Sequence, residues 1–197
     1  MKNSEKSDAA VERAYRVMAQ SGIVETLQRH GCRVNVIGSV AMGLIASHKD
    51  IDLHVYSKGV TTAGSFAVMA EIADNPAVTE ITCINGLHTD ERCIAWHINY
   101  RCSDGEMWKF DIIHIEEGSR YDGFFEKMAE RIKGRLTPEL RELILELKFS
   151  TPDDMKISGV EYYEAVIADG VRTLPALYEW VERHRANPRS EYWMPEE

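Results

Sequence analysis

Gly38-Ser-Val-Ala-Met-Gly43 and, after six intervening residues, Asp50-Ile-Asp-Leu-His-Val-Tyr56 are the two stretches on which the fold turns. From Asp50 the second stretch alternates charged or polar residues with apolar ones, which is the period of a strand. Residues two apart on a strand point to the same face, so Asp50 and Asp52 converge on one small volume. Two like charges that close are costly unless a positive charge lies between them. A divalent ion supplies it, because magnesium takes oxygen ligands and keeps part of its shell for waters and substrate phosphates. The pair can therefore hold a metal that also grips a nucleoside triphosphate. Asp-x-Asp also arises by chance as solvated carboxylates, but the apolar flanks Ile51, Leu53 and Val55 make this a strand with one buried side.

The first stretch closes a β-rich run over residues 33–37 and opens a short helix expected over 40–47. Glycine lets a backbone come close to a ligand, and the N-terminus of a helix offers N–H groups to phosphate. Ser39 adds a hydroxyl donor. Its ordinary reading is a strand-to-helix turn with Ser39 as the N-cap. A third element is Asp111, centred in Trp108-Lys-Phe-Asp-Ile-Ile113. A carboxylate among apolar neighbours needs a partner, since burying charge without one is expensive. Asp111 fits a further metal ligand or a base for an attacking hydroxyl. It equally fits an edge-strand salt bridge to Lys109 or Arg101.

Around these stretches the chain reads as a mixed half followed by a helical half. Apolar spacing predicts a helix over residues 7–29, split or kinked at Gly22, and another over 63–73. Strands are expected over 78–84, 92–101 and 107–115, the last two joined by a hairpin at Ser103-Asp104-Gly105. Helices follow over 124–133, 138–148, 160–167 and 175–184. Thr137 is placed to cap the second of these, with Pro138 in its first turn. A loosely ordered tail is expected from Asn187. No internal repeat is visible, and no flexible linker marks the change of character near residues 117–119.

The 197 residues carry a formal net charge of −9 and are 44% hydrophobic and 28% charged, the balance of a globular protein. Tight binding of long nucleic acid draws on a basic stripe, which the sequence lacks; a small acceptor is favoured. No stretch approaches the roughly 18 apolar residues that cross a bilayer, and the polar N-terminus reads as no secretory signal. A membrane association is not expected. Cys32, Cys83, Cys93 and Cys102 show no CxxC spacing and read as reduced cysteines of a cytoplasmic protein.

Taken together, Gly38-Ser39, ten intervening residues, Asp50-Ile-Asp52 and a later strand centred on Asp111 resemble the nucleotidyltransferase superfamily that includes DNA polymerase β. The likeness spans residues 33–115. It implies an α+β fold: a mixed sheet flanked by helices forming a nucleotidyltransferase core over 1–117, then a C-terminal helical region over 118–197. It also implies that Asp50 and Asp52 bind two divalent ions, Mg2+ or Mn2+, with Asp111 sharing the second. Gly38 and Ser39 would hold the triphosphate. An acceptor hydroxyl would attack the α-phosphorus and pyrophosphate would leave. The implied partners are a nucleoside triphosphate (ATP, giving up AMP) and a small-molecule acceptor, with room for a homodimer.

Many antibiotic-modifying members carry an arginine where Met42 stands here. The missing positive contact has to come from elsewhere; Lys49, nearest in sequence, is the first candidate, followed by Lys109, Lys148 and Lys156. Glu91 is an alternative base. His97 and His114 lie on neighbouring strands and could meet a ligand. Trp96, Tyr100 and Trp108, and Tyr162 and Tyr163, read first as packing. Other readings stay open: a nucleotide- or metal-binding protein of the same fold without catalysis, or a minimal nucleotidyltransferase that modifies a protein. A glycosyltransferase with a metal-binding Asp-x-Asp would need a larger nucleotide domain and gives the Gly-Ser turn no role.

Overall fold

The computed structural model describes residues 1–187 and 192–196. Five strands, β1 (Arg33–Val36), β2 (Asp50–Ser57), β3 (Val78–Asn85), β4 (Cys93–Arg101) and β5 (Met107–Glu116), form one mixed sheet in the order β1-β2-β5-β4-β3. β2 and β5 run parallel and every other pair antiparallel. The parallel pair follows from the connection: the chain leaves β2 through helix α4 (Thr62–Ala73), reaches the far edge at β3, and returns to β5 by two hairpins. β5 is thus central, so Asp111 does not sit on an edge strand.

Alternation along the strands sorts the two faces. Ile51, Leu53 and Val55 of β2 join Trp108, Phe110 and Ile112 of β5 on one face. That face is covered by α1 (Asn3–Ser21), α2 (Ile23–Arg29) and α4, whose Val17, Met18, Leu27, Val68 and Ile72 complete a first core. The helical run expected over 7–29 is split at Gly22, which turns at φ 69°, a conformation that glycine adopts without strain. The helix expected over 40–47 is the shorter α3 (Gly38–Met42), stopped by Gly43, also at φ 69°.

A second core belongs to α5 (Phe124–Arg135), α6 (Pro138–Ser150), α7 (Gly159–Ile167) and α8 (Leu174–Ala186). Met42 and Leu44 are part of it. Met42 is buried, so an apolar side chain stands at this position because it plugs the helical core. Threonine hydroxyls at 137 and 173 accept from Leu140 N and Ala176 N and start α6 and α8; Ser158 and Glu161 form a capping box on α7. Of the tail from Asn187, residues 188–191 and 197 lie outside the described residues. Tyr192 packs edge-on against Tyr121, Phe124 and Phe125, and Arg131 donates to Pro195 O at 3.1 Å. The described part of the tail is therefore docked on α5 and not loose, because its aromatic rings bury apolar surface there.

α5 is tied to the sheet by a polar knot. The Tyr56 hydroxyl donates to the Glu126 carboxylate, whose oxygens lie 2.7 and 2.9 Å away, and Asn35 Nδ2 donates to the same group at 2.7 Å. Tyr56→Phe leaves a part-buried carboxylate one donor short and is expected to lower stability by about 1–2 kcal/mol in urea denaturation. An unchanged midpoint would show that Asn35 and water suffice.

Candidate active site

On the second face of the sheet the N-terminal halves of β2 and β5 are open. The parallel register sets Asp50 opposite Lys109 and Asp52 opposite Asp111, and β4 sets His97 opposite Asp111. All of these side chains share the face, since they stand two apart along each strand. Asp111 is engaged on both sides: His97 Nδ1 is 2.5 Å from its Oδ1, and Lys109 Nζ is 2.8 Å from Oδ1 and 3.0 Å from Oδ2.

The Gly38-Ser39 turn lies directly on Asp52. Ile37 N donates to Asp52 O at 3.0 Å, and Gly38 has φ 63°. A Cβ at residue 38 would overlap the Asp52 carboxylate, lying 2.7 Å from its Cγ. Glycine is required here both by conformation and by space. The N-cap of α3 is Ile37, not Ser39; Ser39 is in the first turn, where N–H groups have no partner within the helix.

Beyond the turn opens a cavity of about 430 Å3, of a size that takes a nucleotide. Gly38, Ser39, Asp50 and Asp52 form one wall, and α5, α6 and α7 with the α6–α7 loop form the other. That second wall is largely apolar, with Phe125, Met128, Ile132 and Ile157, a surface suited to a flat ring. Its charged members are Asp153, in the α6–α7 loop, and Lys148, which donates to Leu44 O at 2.7 Å and lies 3.4 Å from the Tyr163 hydroxyl. Lys148 was one of four lysines the sequence could offer. Lys49 lies outside the cavity, paired with Glu106 Oε1 at 2.5 Å; Lys109 is taken by Asp111, and Lys156 Nζ donates to Asp153 O at 3.2 Å. Nothing in the sequence ranks Lys148 above the others except its place on the buried side of an amphipathic helix.

Burial, then the charges of Asp111 and Asp50, push the Asp52 carboxyl up to about 6. Burial and Asp111 also raise Asp50. Burial lowers Lys148 to about 8 despite the pull of Asp52 and Asp50. One buried cation does not balance these carboxylates, so Asp50 and Asp52 form a site short of positive charge, which a divalent cation fits. Among the described residues, the group of three ligating side chains whose ligand atoms all fall within 4.8 Å is a different one, Cys102, Asp104 and Glu106 on the β4–β5 turn. Arg13 pairs with both of those carboxylates and Lys49 with Glu106, so that cluster is already neutralised.

The remaining candidates fall elsewhere. His114 points into the first core, with Nδ1 3.0 Å from Ser65 Oγ and Nε2 2.7 Å from Ser57 Oγ. Trp96, Tyr100 and Trp108 are core residues. Tyr162 and Tyr163 are buried and line the cavity floor. Glu91 is on the β3–β4 turn beside Cys93. All four cysteines are free.

No protein-family model matches the chain, and no curated protein sequence matches it either. Solved structures do. A non-canonical poly(A) polymerase complex, GLD-2 with GLD-3, superposes with a TM-score of 0.59 at 11% identity, covering 84% of this chain and 57% of that one. Cid1, an RNA terminal uridylyl transferase, gives 0.53 at 14%, covering 81% and 47%. A cytoplasmic RNA terminal U-transferase gives 0.50 at 14%, covering 83% and 54%. This chain spans about half the length of these structures. The α+β fold is that of the polymerase β-like nucleotidyltransferases.

Proposed function

We propose that the protein is a metal-dependent nucleotidyltransferase that moves AMP from ATP onto a hydroxyl of a small-molecule acceptor. The observation that carries this reading is the meeting of Gly38 with Asp52 at the mouth of the cavity, with Asp111 in register beside them. Asp50 and Asp52 would hold Mg2+ or Mn2+, with Asp111 sharing the second ion. Such ions, when bound, neutralise the charge that builds on entering and leaving oxygens in an in-line displacement. The chain's own residues do the rest. The first-turn N–H groups of α3 and the Ser39 hydroxyl take phosphate oxygens, and Lys148 adds a positive charge where water is scarce. The apolar wall of α5 and α7 orients the base. The acceptor oxygen bonds to the α-phosphorus, the bond from that phosphorus to the bridging oxygen breaks, and pyrophosphate leaves. Asp111, on the open face beside Asp52, would take the acceptor proton.

The net charge of −9 supports a small acceptor over a long polynucleotide. The test is pyrophosphate release and mass shift with each of four nucleoside triphosphates, across sugars, amino alcohols, aminoglycosides and short RNA oligomers. Transfer to a small hydroxyl compound supports the reading. Extension of RNA would replace the acceptor but keep the chemistry, and nucleotide binding without release would leave a non-catalytic binding protein.

Lys148→Met keeps the stem and removes the charge. It is expected to lower kcat/KM by about 10²-fold and also to lower the melting temperature of the metal-free protein, because the Leu44 carbonyl loses its donor and Asp50 and Asp52 lose their nearby counter-charge. Unchanged kinetics would take Lys148 out of the site.

A further inference from the structure

We infer that Arg141, which lines no part of the cavity, is a positioning residue that holds the Gly38-Ser39 turn in place. The inference rests on the proposed nucleotide site and adds to it a residue from another element. α3 has five residues, too few to be stable alone, so its place is set by its ends. The front end is fixed by the bond from Ile37 N to Asp52 O. The back end is fixed by the carbonyl of Gly43, which accepts from Arg141 Nε at 3.1 Å, Arg141 Nη2 at 3.0 Å and the fully buried Ser7 hydroxyl at 3.0 Å. Arg141 is itself aimed by Asp8, whose Oδ1 lies 2.6 Å from Nη2. Seven residues further along α6, two helical turns on, Lys148 holds the next carbonyl, that of Leu44.

The missing arginine of the Gly-Ser run is thereby given a counterpart of a different kind. Here Met42 fills the helical core, and a guanidinium arrives from α6 to grip the turn from behind. A forked guanidinium sets a carbonyl in two dimensions, which a lysine with one donor in line cannot do. Without it α3 can pivot about its front anchor, and a shift of well under 1 Å at Gly38 and Ser39 is enough to misplace phosphate contacts.

Arg141→Met keeps the packing stem and removes the fork; Arg141→Lys restores one donor; Asp8→Asn weakens the aim without touching Arg141. Amide hydrogen exchange of residues 39–44, read without any ligand, is expected to quicken in Arg141→Met, less in Arg141→Lys and Asp8→Asn, with the β-sheet amides unchanged. Binding of ATP with magnesium, by calorimetry, should weaken about tenfold or more, and KM should rise with it while kcat stays within about twofold. Unchanged exchange over 39–44 overturns the inference, as does a fall in kcat with KM and nucleotide affinity at wild-type values. If the wild-type protein binds no nucleotide, the proposed function fails, and the exchange result alone decides whether Arg141 fixes the turn.

Discussion

Asp52→Asn is expected to reduce nucleotidyl transfer at least about 10³-fold and yet to leave the protein folded, and more stable at neutral pH than the wild type. Both expectations come from the same arrangement. Asp52 is held under Gly38, close to Asp50 and across from Asp111, half-buried at the wall of the cavity. That is unfavourable for an anion in the empty protein and favourable for one that must grip a cation. The pH dependence has a definite sign. The Asp52 carboxyl keeps its proton to about 6 in the folded protein, whereas in the unfolded chain it ionises near its ordinary value of 3.8. Between these values the folded state binds more protons, so stability falls as pH rises from about 4 to 6 and stays lower above. The fall is on the order of 2 to 3 kcal/mol at most. Asp50, raised in the same direction, adds to it. Thermal melts from pH 4 to 8 should show the decline in the wild type and a flatter profile in Asp52→Asn. Magnesium at pH 7.5 should raise the wild-type melting temperature and the variant's much less. Full turnover in the variant would sink the metal assignment, and a flat wild-type profile would show that Asp52 is better solvated than its surroundings suggest.

Gly38→Ala should be the most damaging single methyl group in the chain. Alanine at φ 63° costs about 1 kcal/mol or more by itself. The added carbon then overlaps the Asp52 carboxylate, which cannot retreat because the strand behind it is pinned on both sides by β1 and β5. Either α3 lifts away or Asp52 turns out of the site. The expected loss is about 2–4 kcal/mol, with no measurable transfer, read by denaturation and pyrophosphate release. Gly22→Ala provides the control: φ is 69° there too, but a Cβ meets nothing within 4 Å. It should show the conformational cost alone and retain activity. Equal effects at the two positions would mean that backbone conformation, not the approach to Asp52, makes Gly38 necessary.

The strands and the hairpin between the last two were legible because each strand alternates and because the Asp-Gly turn is chemically distinctive; the order of strands in the sheet was not, because it is set by pairing across the chain. Asp104-Gly105 marked the hairpin that brings β4 alongside β5, with Gly105 at φ 84°. Helix ends were less visible. A run of apolar residues continues through Leu44 and Ile45, but both are buried outside any helix, so periodicity ran past a stop that Gly43 imposes. Of the site, the two parts on one strand and its preceding turn were readable, since local spacing fixes them. Contacts across the chain were not. Lys148 stands out only when α6 is laid against Leu44, 104 positions away, and Arg141 only when it meets Gly43, 98 positions away. His97 could be put on the strand beside Asp111, but not opposite it, because register is set by pairing.

Met42 and Leu44 belong to the core of α5–α8, while Val40 and Ile45 belong to the core under the sheet. The segment proposed to receive the triphosphate is therefore also the seam between two hydrophobic units. Whatever steadies that seam steadies both sides, and any opening of the helical unit unseats the turn. By mass action, a ligand bound there stabilises α5–α8 against sub-global unfolding by an amount set by its affinity and its concentration. Substrate capture and the cohesion of the two halves are then one equilibrium seen from two ends.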